Sequence, residues 1–248
     1  MDSELPEEIR SRLREAPLEE LARLLVELGD RLDPGAARLV LRNPFATAEL
    51  IGDLLSVPRL AGAYDFRRDV AFDPRSRQSD ALRCVATLYW VDLVRLGCDT
   101  RLHPIVRRAA DSRLIERLPG LALGEKMAIA RAASLAVLAT LRLDPSPRVI
   151  GSLLENPRLT EGALLPLASS EQARSQVLAV LAASPRWGVR YPLRVALARN
   201  PQTPPSVALG ILPMLKKSDL AAVAADARLA GAVRLRARLL ATRGPERV

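Results

Sequence analysis

Along most of this chain, Leu, Ile, Val and Ala return every three or four residues, the spacing of one buried helix face. The runs are short and are cut by proline. This pattern predicts helices over approximately 18–32, 36–42, 47–56, 79–96, 102–110, 112–118, 125–142, 147–154, 160–168, 171–183, 189–199, 204–215, 218–225 and 229–242. Most are two to four turns long, too short to stand alone in water, so each must bury its apolar stripe on a neighbour.

The interruptions share a composition. All three asparagines precede proline, at Asn43-Pro44, Asn156-Pro157 and Asn200-Pro201, and each pair has a Thr three or four residues after the Asn and then a fresh apolar run. Asp144-Pro145-Ser146 is a variant of the same unit. Proline cannot continue the preceding helix and pushes the residue before it out of the α region. Asn or Asp tolerates the turn and bonds local backbone groups. Thr47, Ser146, Thr160 and Thr203 are then expected as N-caps, with Pro147 and Pro204 at the first helical position, where a missing N–H costs nothing.

One stretch departs from the pattern. Residues 63–80, "AYDFRRDVAFDPRSRQSD", have few apolar positions and no stripe, and read as a long polar loop. It would divide an N-terminal helical cap and first repeat, 1–62, from a repeat array over 81–248. Tyr64, Phe66 and Phe72 beside Arg67, Arg68, Arg75 and Arg77 either make it a docking loop or fold back onto adjacent helices.

The Asn-Pro and Asp-Pro units resemble bacterial HEAT-like repeat proteins of the leucine-rich repeat variant type, over residues 99–242 and more weakly over 36–60. The resemblance implies an all-α fold: a right-handed α-solenoid of short antiparallel helix pairs. It also implies a non-enzymatic scaffold that binds a protein along its repeat surface. A minority of such solenoids grip nucleic acid and a few are DNA glycosylases, so fold alone does not choose.

Composition agrees with helices: 49% of residues are hydrophobic but only 3% aromatic, leaving a core of Leu, Ala and Val. The net charge of +9 is uneven. Residues 1–33 carry ten acids against five arginines, so that stretch is −5 and the remainder +14. A basic body attracts acidic or phosphate-rich partners. An Arg-codon excess gives the same balance without a ligand, since Lys occurs only at 126, 216 and 217. The acidic segment "LEELARLLVELGDRL" is expected to cap the first repeat or to cover part of the basic array. Cys84 and Cys98 are too few for a disulfide framework and read as reduced core thiols. An acidic, polar opening and the lack of a long apolar run lead to the expectation of a cytoplasmic protein without membrane contact.

Candidate chemistry is sparse. "PGLALGEKMAIARAA" fails as a phosphate loop, because only three residues separate Gly120 from Gly124 and Met127 stands where a Ser or Thr would hold magnesium. His103 is the sole histidine, which leaves no metal-ligand set, no catalytic triad and no expected cofactor. Trp90 and Asp92 resemble glycosylase equipment, yet residues two apart diverge by about 200° around a helix. Asp92 is instead expected to pair with Arg95, Arg107 or Arg108. The leading surface candidate is "SPRWGVRYPLRVALARNP". Arg190 and Arg194 are one turn apart, and Trp187 and Tyr191 supply planes, a set suited to a protein hot spot or to phosphates and unstacked bases. Alternatively, Trp187 packs into a repeat joint and Arg190 bonds the carbonyls of the previous helix end. Oligomeric state is not fixed by these residues.

Overall fold

A computed structural model describes residues 5–242; the ends of the first and last expected segments, 1–4 and 243–248, lie outside the described residues. Among the described residues the regular structure is helical throughout, with no strand. The chain divides into two compact units, Met1–Arg117 and Leu118–Val248.

The first unit holds α1 (Glu7–Glu15), α2 (Leu18–Leu28), α3 (Pro34–Arg42), α4 (Ala48–Ser56), α5 (Pro58–Gly62), α6 (Tyr64–Phe72), α7 (Gln78–Val85), α8 (Trp90–Cys98) and α9 (Pro104–Arg117). The second holds α10 (Leu123–Ala132), α11 (Leu135–Leu141), α12 (Pro147–Leu154), α13 (Glu161–Ala168), α14 (Ser175–Ala183), α15 (Tyr191–Arg199), α16 (Pro205–Ile211), α17 (Lys217–Ala225) and α18 (Gly231–Thr242). Successive helices face each other, as α6 does α7 and α17 does α18, while next-but-one helices lie side by side, as in α1 on α3, α7 on α9, α12 on α14, α13 on α15 and α16 on α18. Each short helix thereby buries one stripe; α4 turns in Ile51, Leu54 and Leu55, and α14 turns in Val177, Leu178 and Leu181.

Several expectations are corrected. Residues 63–80 are not a loop: α6 occupies most of that stretch and α7 begins within it. Phe66, Val70 and Ala71 are fully buried, a three-residue stripe too sparse to stand out among arginines. The arginines have local partners instead, Arg68 with Asp65 and Asp69, and Arg75 with Asp73. The unit boundary accordingly falls at 117/118, not on either side of a loop. The expected helix 79–96 is broken at 86–89, the expected 125–142 is α10 and α11, and 102–118 is the single helix α9. α1 was not expected at all.

The two units are in register with each other. A shift of 127 residues carries α4 onto α14, α6 onto α15 and α8 onto α17 with identical boundaries, and brings α1–α3, α7 and α9 to within a few residues of α11–α13, α16 and α18. Sequence follows the same shift without a gap: "PRLAGAYDFRRDVAFDP" at 58–74 lies on "PRWGVRYPLRVALARNP" at 185–201, and "DLVRLGCDTRLHPIVR" at 92–107 on "DLAAVAADARLAGAVR" at 219–234. The chain is an internal tandem copy of one multi-helix unit.

Candidate binding surface

The proline turns do more than stop helices. Asn43, Asn156 and Asn200 are buried, and each side-chain oxygen accepts the backbone N–H two residues on, from Phe45 (2.8 Å), Arg158 (2.8 Å) and Gln202 (2.9 Å). Their Nδ2 groups donate backwards to the carbonyls ending an earlier helix. Asn43 reaches Leu13 and Ala16 (3.2 and 2.9 Å), Asn156 reaches Ala130 and Ala133 (2.9 and 3.2 Å), and Asn200 reaches Ala168 and Ser170 (2.8 and 2.9 Å). Carbonyls that a helix end leaves without partners are satisfied in this way by a side chain roughly thirty residues later.

Where Asp replaces Asn, the acceptor half is kept and the donor half is lost. Asp73 takes the N–H of Arg75 (2.9 Å), and the Arg75 guanidinium donates to the carbonyls of Asn43 (2.7 Å), Ala46 (3.3 Å) and Leu41. Asp144 behaves as an acceptor toward Ser146 N–H (2.9 Å). Of the expected caps, Thr47 and Thr160 accept from Leu50 and Ala163, both at 3.3 Å. Ser146 stands at the N-cap but its side chain makes no cap bond. Thr203 is not a cap: Pro204 takes that position, Pro205 follows as the first helical residue, and the buried Thr203 Oγ1 finds no partner. Pro44, Pro145, Pro157 and Pro201 lie in the turns as expected.

The predicted recognition quartet is mostly spent on structure. Trp187 is buried and its indole N–H donates to the Leu154 carbonyl (2.9 Å), closing a repeat joint. Tyr191 donates to Asp219 and accepts the backbone N–H of Lys216 (3.0 Å); burial and the Asp219 carboxylate push its pKa up. Arg194 donates to the Gly188 carbonyl (2.9 Å). Arg190 is exposed, and the carbonyl-binding role considered for it falls to Arg186, which donates to Asn156 (3.3 Å) and lies over the Trp187 ring.

Asp92 is buried in α8, and its partner is the Tyr64 hydroxyl, not Arg95, Arg107 or Arg108. This is the first unit's copy of the Tyr191–Asp219 bond, and Tyr64 likewise accepts a backbone N–H, from Tyr89 (3.0 Å). His103 Nδ1 accepts the Ile105 N–H (3.3 Å) in the turn before α9. Cys84 is a buried thiol whose pKa burial raises to about 11, too high for a nucleophile near neutrality. Among the described residues no group of His, Cys, Asp and Glu could hold a metal, and no helix is long and apolar enough to cross a membrane.

Charge separates the two units more sharply than the 1–33 boundary does. Residues 1–117 carry 19 basic and 20 acidic side chains, a net −1, whereas 118–248 carry 18 and 8, a net +10. In the second unit Lys126, Arg131 and Arg228 face carboxylates. Arg186, Arg190, Arg194, Arg199 and Lys217 have none within 4 Å among the described residues.

Beside this charge lies apolar surface. Two open depressions of about 570 and 410 Å³ meet at Ala183, Ser184 and Pro185 at the end of α14. The first runs toward α12, over Leu154 and Val180; the second runs toward α16, over Val189, Val207 and Met214. Val189 and Met214 are 55% and 52% exposed, unusual for side chains with no polar end. Arg186 and Arg194 stand on the rims. Comparison with protein-family models, with curated proteins and with solved structures finds no match to this chain.

Proposed function

We propose that this chain is a non-enzymatic helical-repeat scaffold of the HEAT-like, α-solenoid kind that binds another protein through its second unit. The observation carrying this reading is the coincidence, in 118–248, of excess unpaired positive charge with an exposed apolar groove. Protein interfaces combine an apolar centre with a charged rim and are enriched in Arg and Met. Helices that pack on next-but-one neighbours support the solenoid, and the commitment of Asp92 to Tyr64 supports a binding rather than a catalytic role.

A second reading, nucleic-acid binding through an arginine-rich face, is favoured by the same unpaired arginines. It is weakened by the aromatics nearest them, since Trp187 is buried and the Lys216 ammonium lies over the Tyr191 ring. A photoreactive residue at exposed position 190 of the full chain, illuminated in cell extract, separates the two. An adduct that survives nuclease and is digested by protease fits the protein reading; one destroyed by nuclease overturns it.

A further inference from the structure

The internal copy supplies a comparison for the groove, because each residue lining it has a counterpart 127 positions earlier in the chain. Around α14 the counterparts are polar. Val180 stands where the first unit has Asp53, Val207 where it has Asp80, Gly210 where it has Arg83, and Met214 where it has Thr87. In the first unit Asp53 and Arg83 are exposed, and Arg83 bonds the half-buried Asp80 (3.2 Å). In the second unit the corresponding places line the groove.

The rim keeps its charge: Arg186 and Arg194 retain the arginines found at 59 and 67. The acid lining the groove, Glu155, is paired with Arg131 (3.0 Å). Arg186 and Arg194 each spend donors on one backbone carbonyl, while a guanidinium has five N–H groups. At 180 and 207 carboxylates are thus exchanged for apolar side chains on the floor, at 155 a Glu replaces Leu28, and the two cations at the edge are kept.

We propose that the groove over α12, α14 and α16 is a docking site for a partner polypeptide segment that combines apolar side chains with Asp or Glu. The inference rests on the protein-binding reading above and names the chemistry of that partner. Apolar side chains seat on Val180, Val189, Val207 and Met214, and the segment's carboxylates pair with Arg186 and Arg194. Such amphipathic recognition draws its affinity from the floor and its orientation from the rim.

The full chain is used as bait for a displayed library of random 16-residue peptides, and the leading peptide is then synthesised. Enriched sequences should pair Leu, Phe, Trp or Met with Asp or Glu. Val180→Asp and Val207→Asp, which install the first unit's own residues, should each weaken the peptide at least tenfold. Arg194→Glu should weaken it and flatten its salt dependence, and Asp53→Val should change nothing. Unchanged unfolding midpoints show that the variants fold. The proposal is overturned by a lack of enrichment, by enriched peptides without acids, or by binding that survives both Asp substitutions. It is also overturned by a concentration-dependent dimer that either substitution abolishes, which would make a second copy the occupant. None of these outcomes requires the nuclease-sensitive adduct that would remove the protein reading itself.

Discussion

Tyr191 donates its hydroxyl to Asp219 while accepting the N–H of Lys216, and Tyr64 makes the same pair of bonds with Asp92 and Tyr89. Each clamp ties the first residue of one helix to the first turn of another about 28 residues on. Asp92 is 8% exposed, so removing its donor strands a buried carboxylate. Tyr64→Phe should therefore cost about 2–3 kcal/mol in urea unfolding. Burial and the neighbouring carboxylate both raise the Tyr64 and Tyr191 pKa values above 10.0. A raised folded pKa gives stability that is complete below pH 10 and is lost as pH climbs through the folded value. The double variant Tyr64→Phe, Tyr191→Phe should show a shallower alkaline loss than the parent.

Asn200 offers a test of the backward cap that keeps shape constant. Asn200→Asp retains the acceptor for Gln202 N–H but turns two donors toward Ala168 and Ser170 into oxygen facing oxygen. Loss of about 2–3 kcal/mol is expected near neutrality. Because the new carboxyl is held protonated by that surrounding, the deficit should shrink as pH falls, opposite to the behaviour of the native acids.

Asp226 should titrate well below an ordinary carboxyl. Hydrogen bonds from the Arg228 side chain and then its backbone lower the pKa to about 2. The associated stability is present above the unfolded value near 4 and is lost as pH falls through about 2. Carboxyl carbon NMR should find the low midpoint, and Arg228→Ala should return it toward the unfolded value.

Thr203 and Thr160 occupy matching places after Asn-Pro but should respond oppositely to Thr→Val. Thr160 caps α13, so its loss should cost about 1 kcal/mol. The Thr203 hydroxyl is buried without a partner, and Thr203→Val should leave stability unchanged or raise it by up to about 1 kcal/mol. Thermal unfolding of both variants decides the point.

The helical class was legible in the sequence because proline, Asn and periodic Leu are local signals, and local signals survive inspection of one chain. The turn positions were found for the same reason. What each Asn does was not legible, since its donors serve carbonyls up to 32 residues away. α6 was missed because its stripe is only Phe66, Val70 and Ala71 amid charges that neutralise one another. Within 187–194, Trp187 and Tyr191 close joints of the fold while Arg190 stays exposed, because aromatic side chains pack into joints as readily as they bind ligands. The internal copy was present in the letters, as Tyr64-Asp65-Phe66-Arg67 against Tyr191-Pro192-Leu193-Arg194. The Asn-Pro pairs do not mark it, because Asn43, Asp73 and Asp99 correspond to Ser170, Asn200 and Asp226, and the turn accepts any of these side chains.

The backward reach of the asparagines gives the chain a direction. A helix such as α10 has its last carbonyls completed by Asn156, and α13 has its own completed by Asn200. During synthesis, such a helix therefore leaves the ribosome unfinished and is sealed only when about thirty further residues have emerged. A truncation just before Asn156 or Asn200 removes more than the residues deleted: it reopens the end of α10 or α13, a helix well inside the part that remains.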